Sequence, residues 1–325
     1  MEAQDEAELC FPQLLNSSCR MPKLHWSEAI LGSVAMSFVS LLTAVLNLLV
    51  IIAVSHFRQL HTPTNILLLS LAVSDFLVGL LLMPGKLFRK NTCWMLGDVL
   101  CSLYIYVIAL IISVSIGNIV LISIDRYVAI CEPLQYPTRM TLTRVKCCVG
   151  LCWLCGAFYR LLFLKDEMIQ PGRNKSCVGE CAFVTNSIAG LFDLILNFIA
   201  PVTVIVVLYT KVFMVAVSQA RAMRSRVTAV TLQLSVNVVT KKSELKAART
   251  LGVLIVVYLF CFCPYYCYAL IERNITNTFL IFLFYFNSCL NPLLYALFYP
   301  WFRKAIRHIV TLQILQQGSS ETNIL

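Results

Sequence analysis

The sequence predicts an all-α membrane protein, a bundle of seven spanning helices, from its composition, the length of its apolar stretches and the placement of its charges. Of its 325 residues, 59% are hydrophobic and 13% charged, whereas a soluble domain is about one quarter charged. One aqueous core could not bury so much apolar surface, so the chain reads as a single membrane domain. Crossing a bilayer takes roughly 20 mostly apolar residues. Such stretches run at about Ala29–Val54, Ile66–Met83, Cys101–Ser123, Val145–Leu162, Phe183–Val217, Ala247–Ile271 and Phe279–Tyr299.

Charge orients them. The links after spans one (Arg58), three (Arg139, Arg144, Lys146) and five (Arg221, Arg224, Arg226, Lys241, Lys242) are basic, as is the segment after span seven (Arg303, Lys304, Arg307). The N-terminal segment instead carries Glu2, Asp5, Glu6 and Glu8. Basic loops stay in the cytoplasm, which places the N-terminus outside. The expected organisation is an extracellular N-terminus over 1–26, the bundle over 27–302 and a cytoplasmic tail over 303–325. The net charge of +10 expresses this asymmetry and does not indicate a nucleic-acid surface. The acidic start lacks the pattern of a secretory signal, so the first span is expected to direct insertion.

This topology sorts the cysteines. Cys10, Cys19, Cys93, Cys101, Cys177 and Cys181 fall on the oxidising side, where disulfides persist. Cys148, Cys152 and Cys155 recur at helical spacing in span four, where small packing residues are the expected reading rather than metal ligands. Three glycosylation sequons begin at Asn16, Asn174 and Asn274, and each falls outside by the charge rule.

Polar residues inside spans are costly and mark function by default. Asp75, Asn47 and Asn291 lie mid-span, as an ion or proton relay or as an interior network around a trapped Na+. Asp125-Arg126-Tyr127 closes span three at the cytoplasmic end, and Glu244 opens span six there. An Arg facing a Glu across a bundle can hold two helices together until something separates them. Pro264 and Pro292 interrupt spans six and seven and offer pivots.

Asn47, Asp75, Asp125-Arg126-Tyr127, Trp153, Pro201 with Tyr209, Cys261-Phe262-Cys263-Pro264 and Asn291-Pro292-Leu-Leu-Tyr295 stand one per helix, in order. The pattern resembles rhodopsin-like G-protein-coupled receptors from about Trp26 to His308. In span seven, Asn287-Ser288-x-x-Asn291-Pro292-x-x-Tyr295-x-x-x-Tyr299-x-Trp301-Phe302 resembles the fingerprint of trace amine-associated receptors. Cys19 after Asn16-Ser-Ser, and Cys177-Val-Gly-Glu-Cys181, are similar to that family too. The resemblance implies pairing of Cys101 with Cys181 and of Cys19 with Cys177, and leaves Cys10 and Cys93 open. It also implies a plasma-membrane receptor for small amines, of the fish olfactory branch, in cilia of olfactory sensory neurons. Its partners would be membrane lipid and a heterotrimeric G protein of the stimulatory or olfactory type, signalling to cAMP, with no cofactor. Asp125, Arg126, Tyr127, Glu244, Tyr209, Asn291, Pro292 and Tyr295 would form the switch, and Asp75, Asn47 and Asn287 the interior or sodium network.

Three positions depart from the family pattern. Phe262 stands where Trp is usual, Leu46 where Gly is, and Ile108 where amine receptors carry an Asp, eighteen residues before Arg126. An ammonium leaving water needs a carboxylate or an aromatic cage. Span five offers Asp193, with Asn197 one turn on along the same face. Asp193 is therefore the expected counter-ion, unless Arg160 near the end of span four neutralises it and the pocket takes an acidic or neutral ligand. Ile108, Ala109 and Ile112 would supply the apolar wall. Phe262, Tyr265, Tyr266 and Tyr285 match the family's lining positions.

Other functions fit less well. The four histidines lack metal-binding spacing and no nucleophile elbow or phosphate loop is present, so no enzyme is expected. Repeated halves with matched helix breaks, the mark of a transporter, are not evident either. An ion or proton transporter stays a remote alternative through Asp75 and Asp193.

Overall fold

A computed structural model describes residues 8–14, 16–21, 26–173, 175–182, 187–227, 252–253, 255–268 and 278–324. Asn174, Glu244 and Asn274 lie outside these residues. The principal helices are α1 (Trp26–His56), α2 (Pro63–Leu77 continuing to Asn91), α3 (Asp98–Cys131), α4 (Leu142–Phe163), α5 (Ser187–Leu194 continuing to Val227), α6 (Ile255–Tyr268), α7 (Thr278–Phe298) and α8 (Pro300–Val310). Six are long and apolar enough to cross a membrane, and α6 supplies a seventh, shorter apolar helix. Helices α1 to α4 outrun the predicted spans at both ends because hydropathy detects only the segment in hydrocarbon. At 1.5 Å per residue, the 34 residues of α3 reach about 50 Å.

Local chemistry sets several boundaries. Thr62 caps α2 by accepting from the Asn65 N–H at 3.3 Å, and Pro63 follows at the first position, where a missing N–H costs nothing. Thr141 caps α4 through the Arg144 N–H at 3.4 Å. Two helices widen into a π-type turn just before a proline. Pro84 cannot donate to the carbonyl four residues back, and the Met83 N–H reaches five back to Val78 in the turn Val78–Leu82. Pro201 has the same effect in α5, where the Ala200 N–H donates to Ile195 across the turn Ile195–Ile199.

The interior is shared by all seven spans, with Tyr258, Tyr295, Phe57 and Phe302 among its largest fully buried side chains. Backbones approach most closely where α1 meets the π-turn of α2. A Cβ on Gly79 would lie 2.8 Å from the Ala44 nitrogen and 2.9 Å from the Ser40 carbonyl oxygen. The Ser40 hydroxyl donates to the Gly79 carbonyl at 2.7 Å, a small-residue contact of the kind that joins membrane helices.

At one end of the bundle three disulfides gather the N-terminal segment, the α2–α3 link and the α4–α5 link: Cys10–Cys93, Cys19–Cys177 and Cys101–Cys181. The second and third match the family expectation, and the first resolves the pair left open. Asn16 lies exposed in the same N-terminal segment. In α4 only Cys152 turns inward, toward Gly117 of α3, while Cys148 and Cys155 are exposed.

The opposite end holds α8 and a tail with structure of its own. The boundary drawn between 302 and 303 falls inside α8, whose Trp301, Phe302 and Ala305 are buried. Beyond it the chain folds back on the α1–α2 link. The Ser319 hydroxyl meets His56 at 3.0 Å, Arg58 donates to Glu321 at 3.3 Å, and Ile324 is fully buried.

Candidate functional site

Asp193 sits in the last turn of α5 before the π-turn, and three donors converge on one of its oxygens. Oδ1 accepts from Arg160 Nη1 at 2.6 Å, Asn197 Nδ2 at 2.8 Å and the Tyr159 hydroxyl at 3.0 Å. Ser113 of α3 closes the network, accepting from Arg160 Nε at 2.7 Å and donating to Asn197 Oδ1 at 2.9 Å. Arg160 also lies 5.2 Å and 5.6 Å from the centres of the Tyr159 and Phe163 rings, where cation–π attraction holds it. The neutralising contact weighed from sequence is therefore present. It is lopsided, however: the Arg160 side chain is 6% exposed and that of Asp193 28%, and Asp193 Oδ2 takes no hydrogen bond among the described residues.

An aromatic wall faces this network across α5, α6 and α7. Phe198 stacks on Tyr266 at 4.4 Å, and Phe284 contacts Phe262 at 4.5 Å and Tyr265 at 4.7 Å. Tyr285 adjoins Phe284 at 5.6 Å. The predicted Phe262, Tyr265, Tyr266 and Tyr285 thus share one cluster, and Tyr265 and Tyr266 lie within electrostatic reach of Asp193. Ile108 and Ile112 of α3, four residues apart and hence on one face, pack on the main core, whereas Ala109 packs with Phe163 and Cys181 in a second cluster. Sequence reasoning missed Ser113, Tyr159, Phe198 and Phe284. Only Ser113 left a trace, as a lone polar residue within Leu110-Ile-Ile-Ser113.

Deeper in the bundle, Asp75 is fully buried and accepts from Asn291 Nδ2 at 2.7 Å. Asn47 donates to the Thr43 and Ser288 carbonyls at 2.9 and 3.0 Å. The second oxygen of Asp75 and the side-chain carbonyls of Asn47, Asn287 and Asn291 meet no donor among the described residues. Such an all-oxygen, acid-bearing set suits a hard cation. Alongside, Trp153 donates to Ser70 at 3.1 Å, and Ser70 to Asn118 at 2.8 Å.

At the far end of α3, Asp125 is fully buried and binds its neighbour Arg126. Thr64 and the Tyr136 hydroxyl each donate to Asp125 at 3.0 Å. Tyr209 and Tyr299 lie within electrostatic reach of Arg126. Among the described residues the buried hydroxyls of Tyr209, Tyr295 and Tyr299 meet no partner, and these rings are held by packing, Tyr295 against Tyr299 and Phe302. Tyr127 is partly buried against Ile130 and Val212, with Lys211 5.8 Å from its ring centre. Glu244, the expected partner of Arg126, lies outside the described residues.

With one polar constellation per helix arranged around a shared interior, comparison with known proteins decides the family. Residues 46–295 match the family "7 transmembrane receptor (rhodopsin family)". The chain is 35% identical to trace amine-associated receptor 13c of zebrafish (Danio rerio), over 98% of this chain and 97% of that protein. It is 38% identical to receptor 7e of mouse (Mus musculus), over 98% and 92%. Identity to receptor 1 of Macaca mulatta is 33%, over 96% of each. The chain belongs to the trace amine-associated receptors.

Membership identifies a multi-pass receptor of the plasma membrane whose partners are a G protein and a small-molecule ligand. It is not an enzyme.

Proposed function

We propose that this receptor senses small amines with Asp193 as the ammonium counter-ion and couples to a stimulatory G protein, raising cAMP. The observation that carries the reading is a 28% exposed carboxylate that lies within electrostatic reach of Tyr265 and Tyr266 and whose Oδ2 takes no hydrogen bond among the described residues. Arg160, Asn197 and Tyr159 hold one oxygen of Asp193 and so aim the other. The names of the relatives, each a trace amine-associated receptor, support an amine ligand, and Ile108 removes the usual acid of α3. Asn197, Ile108, Ala109, Ile112, Phe262, Tyr265, Tyr266 and Tyr285 complete the site. The disulfide-bearing end faces outward, with glycans on Asn16, Asn174 and Asn274. A single committed carboxylate favours a monoamine. An olfactory setting, in cilia of sensory neurons, follows from the resemblance to the fish branch.

Activation is a population shift. The bound ligand favours a conformation in which α6 swings about Pro264. Arg126 is freed from Asp125 and Glu244, and Tyr209 and Tyr295 repack beside it while Asn291 and Pro292 adjust α7. Asp75, Asn47 and Asn287 bind Na+ in the resting state.

Replacing Asp193 by Ala tests the amine assignment. Truncating one partner of a desolvated charge pair at a binding site costs about 2–5 kcal/mol, so amine-evoked cAMP, normalised to receptor at the surface, should need at least about 30-fold more ligand. A full amine response in that variant would end the assignment. The Arg160 contact favours a second reading, in which Asp193 is spent internally and the cavity takes a neutral or acidic ligand. Testing amines and carboxylic acids on wild type and Asp193→Ala separates the two.

A further inference from the structure

Above the aromatic wall, at the disulfide-bearing end, lies a chamber of about 600 Å³. It is bounded by the N-terminal segment, the ends of α1 and α2, the Cys177–Ala182 link and Ile281 of α7. The volume lies within the roughly 300–1,000 Å³ of small-molecule sites. Among the described residues its charge is one-sided: Arg20, Lys86 and Arg89 line it against the carboxylate of Glu180. Arg89 is half-buried and placed 5.8 Å from the centre of the Tyr104 ring. Neither Arg20 nor Arg89 is ion-paired among the described residues. Trp94 and Ile281 add apolar wall.

The chamber is also rigid. Five of the six bonded cysteines line it, Cys10, Cys19, Cys93, Cys177 and Cys181, so all three disulfides pass through its walls. Cross-linked walls hold the cations together against their mutual repulsion, and a preorganised site loses little freedom on binding. Guanidinium groups present fixed forks of donors that match a carboxylate.

We infer that this chamber is a binding site for a small organic carboxylate with an apolar body, distinct from the Asp193 site. Arg89 holds the carboxylate, Arg20 closes over it, and Trp94 and Ile281 take the apolar part. Glu180 opposes the anion and limits its affinity. Occupancy reaches the receptor's switch through α7, because Ile281 stands one turn above Tyr285 and Arg89 is within electrostatic reach of Tyr285 and Tyr104. The inference does not depend on Asp193 binding amines.

The test uses the full chain, disulfides intact, in phosphatidylcholine nanodiscs, with hexanoate titrated by calorimetry and its neutral amide, hexanamide, as control. Hexanoate should bind saturably and hexanamide at least tenfold more weakly. Arg89→Ala should weaken hexanoate about tenfold, the value of a charge-assisted hydrogen bond. Glu180→Gln should strengthen it severalfold, a gain that misfolding cannot produce. Absence of saturable binding to wild type, equal affinity for the amide, or indifference to both Arg89→Ala and Glu180→Gln would overturn the site. Loss of hexanoate binding when phosphatidylserine is added to the nanodiscs would assign the chamber to a lipid headgroup and overturn the soluble-carboxylate reading.

Discussion

Two Arg–carboxylate pairs sit at opposite ends of the bundle and leave opposite partners open. At the Arg126 end the acid is sealed, with Asp125 at 0% and Arg126 at 12% side-chain exposure. Near the disulfide-bearing end the cation is sealed, with Arg160 at 6% and Asp193 at 28%. In each pair the sealed member has auxiliary partners, Thr64 and Tyr136 for Asp125 and Ser113 with two rings for Arg160. The open member is the one a visitor can compete for. One motif of physical chemistry thus serves two tasks: an acid offered to a ligand and an Arg held back from a G protein.

The largest effect that would break this symmetry is expected from Arg160→Ala. It strands Asp193 in a low-dielectric site, at a cost near the low end of about 3–5 kcal/mol because Asp193 is partly exposed. Thermal unfolding should show that loss, and adding Asp193→Asn should recover much of it. Receptors that reach the surface should respond to amines at lower concentration, since Asp193 has lost its internal cation. Unchanged stability and unchanged amine potency together would mean that the pair is not formed.

Next in size is Asp125→Asn. Weakening a charge-assisted contact of about 1.5–3 kcal/mol releases Arg126 and should raise basal cAMP about tenfold or more. Basal signalling at the wild-type level would show that Arg126 is restrained elsewhere. Gly79→Ala tests the frame between the two ends. Its Cβ meets backbone atoms of Ala44 and Ser40 under 3.0 Å, so α1 and α2 must separate at a cost of about 1–3 kcal/mol. A melting temperature equal to wild type would contradict that close approach. The smallest effect belongs to Glu321→Gln in the tail strap. The Arg58–Glu321 pair is 73% and 72% exposed, and such pairs contribute about 0–1 kcal/mol, so melting should shift barely. A large shift would give the strap a role its solvation does not suggest.

Much of this was legible because membrane chemistry writes in single letters. Apolar length located the spans, and lone polar residues such as Asp75, Asp193 and Asn197 stood out against their surroundings. The i to i+4 spacing correctly placed Asn197 beside Asp193, now joined by a 2.8 Å hydrogen bond. Ser113 and Tyr159 were illegible because their role comes from neighbours 84 and 34 residues away. The π-turn before Pro201 escaped notice because proline announces a lost hydrogen bond and not how the helix repairs it. The tail strap was hidden because Ser319 and Ile324 look solvated until the α1–α2 link is beside them.

By itself the sequence determined the seven-helix membrane architecture and the one-per-helix polar residues, since apolar length and an intramembrane charge carry their meaning locally. It also made Asp193 the expected counter-ion, with neutralisation by Arg160 as the alternative. Tertiary structure alone decided that Arg160 contacts Asp193 through one oxygen, that Cys10 bonds to Cys93, and that three cations meet in one disulfide-walled chamber. These depend on distances between segments far apart in the chain, and electrostatic pairing and desolvation act through space and not along the backbone.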